Sequence, residues 1–203
     1  MKEGPMKQIH ITRSNNIVTF ETVSVDDTET VFFTNDDPIE PHYPTMATNQ
    51  LGPAPSPNSS QCTLPTSPDP PFTYTYGCQI PGHGSEKGTI NVFVVLGPGA
   101  TTTLPQATAG SPIAPFQVVV GGRSPYQISG QLFQITDSSG NIIQQGSGSI
   151  GPGMQLVAST NNAGITATGT PTQLGTYNFT FTVNDGAGRN LQQVQYSMNV
   201  IAA

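Results

Sequence analysis

Residues 175–185, GTYNFTFTVND, constrain the fold more than any other stretch. Tyr177, Phe179, Phe181 and Val183 fall on one side of it, and Asn178, Thr180 and Thr182 on the other. Alternation with period two describes a strand with one buried and one wet face, because successive side chains of a strand point to opposite faces. Residues 193–200, QVQYSMNV, repeat the pattern with Val194, Tyr196, Met198 and Val200. The intervening NDGAG consists of residues that tolerate positive φ, so the two runs predict an antiparallel pair of a β-sandwich.

Five stretches of the first half carry the same signal: KQIHITRS, IVTFETVSV, ETVFFTN, FTYTYGC and GTINVFVV. Each alternates or runs apolar over a few residues between turn formers, and nothing resembles a long amphipathic helix. The expectation is an all-β chain. Its 203 residues suffice for two domains with a core each. The segment VVLGPGATTTLPQATAGSPIAP has little to bury and predicts a linker over residues 97–111, between domains at 1–96 and 112–203. Residues 44–71 hold eight prolines, which remove backbone donors, so this stretch reads as a semi-rigid excursion and not as the interior of a sheet.

Charged residues make up only 9% of the chain, against roughly 25% in average soluble proteins. They are also unevenly placed. Residues 1–98 hold four Lys and Arg against ten Asp and Glu, whereas residues 99–203 hold two of each sign. Nucleic-acid binders need a basic face to displace counterions, so no nucleic-acid partner is expected and a basic protein partner fits better. No run of eighteen apolar residues is present, and no membrane span is expected.

Chemistry concentrates in YTYGCQIPGHGSEKGTINV, residues 74–92, where Cys78, His83 and Glu86 lie within nine residues. A thiolate, two imidazoles and a weaker fourth donor form the usual trigonal copper site, because soft sulfur suits Cu(I) and nitrogen suits both oxidation states. The second imidazole must come from elsewhere. His42 in FFTNDDPIEPHYP follows an apolar strand and can sit at a strand end, whereas His10 lies within a strand pattern and reads as a surface residue. Cys62, sixteen residues before Cys78, offers a competing arrangement. A disulfide between them would contribute roughly 3 kcal/mol and consume the thiolate.

YGCQIPGHGSEKGTINV is similar to the Cys-x-x-Pro-Gly-His…Met-Lys-Gly-Thr loop of azurin-like cupredoxins, and VFFTNDDPIEPH resembles the strand, Asn and first-ligand His of that family. The likeness extends over about residues 6–96. It implies a Greek-key β-sandwich, one mononuclear copper ion, one-electron transfer, and His42, Cys78 and His83 as the strong ligands. The chain departs from the family pattern at Glu86, which stands where a Met is usual and one residue closer to the histidine. A carboxylate there would favour Cu(II) and lower the potential. Glu40, Met46 and water are the rivals for that place. Tyr43 replaces an Asn after the first histidine, which removes an outer hydrogen bond known in plastocyanin-like members.

In the second half, SIGPGMQLVASTNNAGITATGTPTQLGTYNFTFTVNDGAG resembles the immunoglobulin-like repeats of bacterial surface proteins, with GPGM where two prolines and a leucine are usual. This likeness, over about residues 112–201, implies a seven-strand sandwich without chemistry of its own, and the half has no His and no Cys.

Three histidines are too few for the second centre of a multicopper enzyme, and no CxxC pair, HExxH helix, nucleophile elbow or phosphate-binding glycine loop is present. The chain is therefore expected not to be an enzyme. The expectation is an exported bacterial protein, periplasmic or extracellular although no signal peptide is visible at its start. It would carry copper on His42, Cys78, His83 and Glu86, with an acidic rim at Asp36, Asp37 and Glu40 that orients a redox partner. Copper storage, delivery or sensing without electron transfer is the alternative, and a metal-free adhesive module is the third.

Overall fold

The computed structural model of the chain describes residues 6–46, 59–63 and 72–203, with backbone alone at 45–46 and 59–63. Its regular elements are all strands, and the fold class is all-β. The chain divides into two compact units, Met1–Val94 and Val95–Ala203. Among the described residues no helix is long and apolar enough to cross a membrane.

The first unit holds β1 (Met6–Ser14), β2 (Ile17–Phe20), β3 (Val23–Asp26), β4 (Thr30–Asn35), β5 (Pro44–Met46), β6 (Ser59–Thr63), β7 (Phe72–Cys78) and β8 (Lys87–Phe93). They form two four-stranded sheets, ordered β2-β1-β4-β6 and β3-β8-β7-β5. The run expected as one strand, IVTFETVSV, is divided between them: β2 pairs with β1 in one sheet, and β3 pairs parallel to β8 in the other. The strand β1 runs parallel to β4, with Ile9 beside Phe33 and Ile11 beside Asn35. Ile9, Ile11, Val25, Val31, Phe33, Tyr76, Ile90 and Val92 fill the core between the sheets.

The Pro-rich stretch 44–71 departs from the expected excursion in two places: Pro44–Met46 pairs with β7 and Ser59–Thr63 pairs with β4, so both are strands. Both lie at sheet edges, where a missing donor does least harm, which is why proline-rich sequence can supply them. Residues 47–58 and 64–71 lie outside the described residues.

The second unit holds β9 (Gly97–Pro98), β10 (Ala107–Thr108), β11 (Phe116–Val120), β12 (Gln127–Thr136), β13 (Ile142–Ser147), β14 (Met154–Ala158), β15 (Gly164–Gly169), β16 (Gly175–Asn184) and β17 (Asn190–Ile201). Its sheets are ordered β10-β17-β16-β12-β13 and β14-β15-β11-β9. The period-two alternation of residues 175–185 is realised: Tyr177, Phe179, Phe181 and Val183 are buried, and so are Val194, Tyr196, Met198 and Val200 on the antiparallel neighbour. Burying Phe179 or Phe181 contributes about 1.5–3 kcal/mol each. Tyr196 stacks on both at ring distances of 5.7 and 5.9 Å. Its hydroxyl bonds the Val118 carbonyl of the facing sheet, so the buried polar tip is satisfied.

The segment 97–111, expected as a linker, belongs to this second sandwich. Gly97–Pro98 pairs with β11, Ala107–Thr108 pairs with β17, and Leu104 and Ala107 are buried in the core. Small residues misled the expectation because their pairing partners lie far along the chain.

Candidate metal centre

The strand β7 ends at Cys78, and the chain then makes two successive turns. In the first, the His83 amide donates to the Ile80 carbonyl at 3.1 Å, with Pro81 and Gly82 between them and Gly82 at φ +95°. Proline fixes φ for the first central position and glycine alone accepts positive φ at the second without strain, so Pro-Gly is what a turn of this kind requires. In the second turn the Glu86 amide donates to the His83 carbonyl at 3.0 Å. The Cys78 amide donates to the Glu86 carbonyl at 3.2 Å and closes the loop on itself. Cys78, His83 and Glu86 are thereby gathered at one end of the sandwich by local bonding alone. The glycine of the following Lys-Gly-Thr has a packing reason: a Cβ on Gly88 would lie 2.6 Å from the Tyr76 ring.

His42 arrives on the loop between β4 and β5. Asn35 orders that loop, its amide nitrogen donating to the Glu40 carbonyl at 2.9 Å and its oxygen accepting from the Asp37 amide at 3.0 Å. The Gln79 amide donates to the Tyr43 carbonyl at 3.0 Å and fastens the His42 loop to the Cys78 loop. His42 is 1% exposed, and its ring packs T-shaped with Phe20 at a centroid distance of 5.6 Å. Its Nε2 lies 2.7 Å from Asp37 Oδ2. Its Nδ1 lies 3.0 Å from Glu86 Oε2 but makes no hydrogen bond.

His42, Cys78, His83 and Glu86 come together, each offering a ligand atom within 4.8 Å of the others. The two imidazole rings are 5.4 Å apart, and Glu86 Oε2 lies 3.0 Å from His83 Nδ1 as well as from His42 Nδ1. Cys78 is a free, half-buried thiol. A thiol, two imidazole nitrogens and a carboxylate, one of the nitrogens buried without a partner, form a donor set that suits a copper or zinc ion.

The other expected donors fall elsewhere. Glu40 Oε2 stands 3.9 Å from His83 Nε2, on the far side of the ring from the cluster, and 2.7 Å from the Arg13 guanidinium. The side chains of Met46 and Cys62 lie outside the described residues. The Cys62 backbone pairs with Val31 in the sheet opposite the one that carries Cys78. His10 is half-exposed, bonds Asp36 and takes no part in the cluster.

A second group, Asp37, Glu40 and His42, also brings its ligand atoms within 4.8 Å. The Arg13 guanidinium holds Asp37 at 2.8–2.9 Å and Glu40 at 2.7 Å, so a fixed positive charge already serves those carboxylates. Bonding to Arg13 holds the Asp37 carboxyl well below the usual carboxylate range. The expected acidic rim is corrected accordingly. Asp36 and Glu40 reach solvent, but Asp37 is 7% exposed and turned inward, because its charge is met by Arg13 and His42.

No protein-family model matches the chain, and no curated protein matches it. Among solved structures, CopC from Methylosinus trichosporium OB3b is 17% identical over 54% of this chain and 92% of its own, with a TM-score of 0.28. The fibronectin(III)-like modules of Clostridium thermocellum CbhA are 10% identical over 90% of this chain and 91% of theirs, with a TM-score of 0.28. The eight N-terminal immunoglobulin domains of the Down syndrome cell adhesion molecule are 15% identical over 94% of this chain and 26% of theirs, with a TM-score of 0.29. At these scores the likenesses carry no argument about the ligand, partners or activity of this chain.

Proposed function

We propose that the first unit binds one copper ion through His42, Cys78, His83 and Glu86 and serves as a one-electron carrier of the cupredoxin type. The observation that carries the proposal is the buried His42 Nδ1, without a hydrogen bond, beside a free thiol, a second imidazole and a carboxylate. The crossing of the chain from β2 in one sheet to β3 in the other, with β1 beside β4 and β3 beside β8, supports the Greek-key reading.

A bound copper would supply a one-electron couple. The residues would supply the frame. Cys78 offers the soft donor, the histidines offer nitrogen, and Glu86 offers a hard oxygen that favours the oxidised ion and lowers the potential. The paired loops hold these groups before any ligand arrives, which limits reorganisation when charge changes. Asp36 and Glu40 present negative charge near the site and fit a basic redox partner. We infer an exported bacterial protein without enzymatic activity, its second unit a spacer or adhesion module.

A second reading, copper storage or delivery, is favoured by one observation: the His83 and Glu86 side chains are 19% and 14% exposed, which leaves exchangeable donors on the solvent side. Titration of metal-free protein with Cu(II) tests the first reading. One equivalent should raise an intense thiolate-to-copper band in the visible, lost in Cys78→Ala, and voltammetry should show a reversible one-electron wave. A coloured protein without reversible redox behaviour would favour storage, and a colourless wild type would sink both.

A further inference from the structure

The sandwich places a single arginine behind both imidazoles. Arg13 sits near the end of β1, in phase with the buried Ile9 and Ile11, so its stem follows the inner face of the sheet. Its guanidinium reaches Asp37 through Nε at 2.9 Å and through an Nη at 2.8 Å, and Glu40 through the same Nη at 2.7 Å. Asp37 in turn lies on the outer nitrogen of His42, and Glu40 faces the outer nitrogen of His83. We propose that Arg13 and Asp37 are positioning residues of the metal centre, and that together they hold His42 as the tautomer protonated at Nε2, with the Nδ1 lone pair aimed at the donor cluster.

The geometry carries this directly. Arg13 meets both Asp37 oxygens and keeps the carboxylate ionised, so Asp37 can only accept, and the 2.7 Å contact requires a proton on His42 Nε2. In a neutral ring Nδ1 is then bare. It faces the Glu86 oxygen at 3.0 Å, two acceptors turned toward each other, an arrangement that a cation between them stabilises. The T-shaped contact with Phe20 and the Asp37 contact leave the imidazole little freedom to turn. Glu40, more distant from His83, exerts the weaker hold of the two.

The inference relies on the proposed function for the identity of the ion, but its tautomer can be read without metal. Two-bond proton–nitrogen correlation of the metal-free wild type at mildly alkaline pH should show His42 protonated at Nε2 alone. In Asp37→Ala the signal should move toward a mixture of tautomers. Arg13→Gln should weaken binding of copper, and of zinc as a spectroscopically silent probe, by about 10- to 100-fold. It should also shift the reduction potential, and Arg13→Lys should restore only part because lysine lacks the fork. Glu40→Gln, at a solvent-facing position, should change affinity less than Arg13→Gln and serves as the comparison if the arginine variants fold poorly. His42 protonated at Nδ1 in the wild type, or an Asp37→Ala variant with an unchanged tautomer, would overturn the inference. So would a folded Arg13→Gln with unaltered affinity and potential. If the wild type binds neither metal but shows the Nε2 tautomer and loses it in Asp37→Ala, the positioning stands and only the copper reading falls.

Discussion

The two units are both two-sheet sandwiches, yet the buried acids Asp37 and Asp185 are met differently in them. In the second unit the one buried acid among the described residues is Asp185, and backbone amides meet both its oxygens: Oδ1 accepts from Ala187 and Arg189 of its own turn, and Oδ2 from Arg123. In the first unit Asp37 and His42 are buried at the loop end, and the chain of bonds from Arg13 stops at His42 Nδ1. Burying a polar atom without a partner costs about 1–3 kcal/mol. Under the proposed reading that open donor set receives the metal, and among the described residues the second unit has no comparable group of His, Cys, Asp and Glu side chains.

The largest expected effect sits in the first unit alone. Cys78→Ser should remove the visible copper band entirely while leaving unfolding of the second unit unchanged, as followed by circular dichroism; a band that survives would assign the sulfur ligand elsewhere. The converse comes from the second unit. Phe181→Ala deletes a ring that is 1% exposed and stacked on Phe179 and Tyr196. It should destabilise that unit by about 3–5 kcal/mol in denaturant titration, without altering copper stoichiometry.

A smaller effect tests the frame of the site. Gly88→Ala places a methyl 2.6 Å from the Tyr76 ring, which is buried and donates its hydroxyl proton to the Glu21 carbonyl at 2.5 Å. The ring has little room to retreat, so a loss of about 1–3 kcal/mol from the first unit is expected. An unchanged midpoint would show that the ring yields.

The smallest effect is electrostatic and lies in the second unit. Asn141 bonds Asp137 and lowers the pKa of its carboxyl. A depressed folded pKa means that the contribution is complete above the unfolded value of about 3.9 and is lost as pH falls through the folded one. Asp137→Asn should flatten the acid limb of that unit's stability curve and leave the neutral region nearly unchanged.

What was legible in the sequence was local. The loop from Cys78 to Glu86 is specified by Pro81, Gly82 and bonds between near neighbours, so its donors could be grouped without knowing the fold. β16 declared its buried face by alternation. Elements defined by distant partners were not legible. Pro44–Met46 and Ser59–Thr63 are strands only because β7 and β4 accept them, and Ala107–Thr108 only because β17 does. The role of Asp37 was missed for the same reason, since an acidic run beside a strand end reads as surface. A signal was present in Arg13: an arginine in phase with Ile9 and Ile11 on an inward face implies an acid waiting inside.

Copper-edge X-ray absorption of the singly loaded wild type, with Cys78→Ser beside it, reads the ligand set of the bound ion. One sulfur scatterer together with two imidazoles is expected around each copper, the sulfur disappearing in the variant. A wild-type spectrum of nitrogen and oxygen scatterers alone would contradict that ligand set.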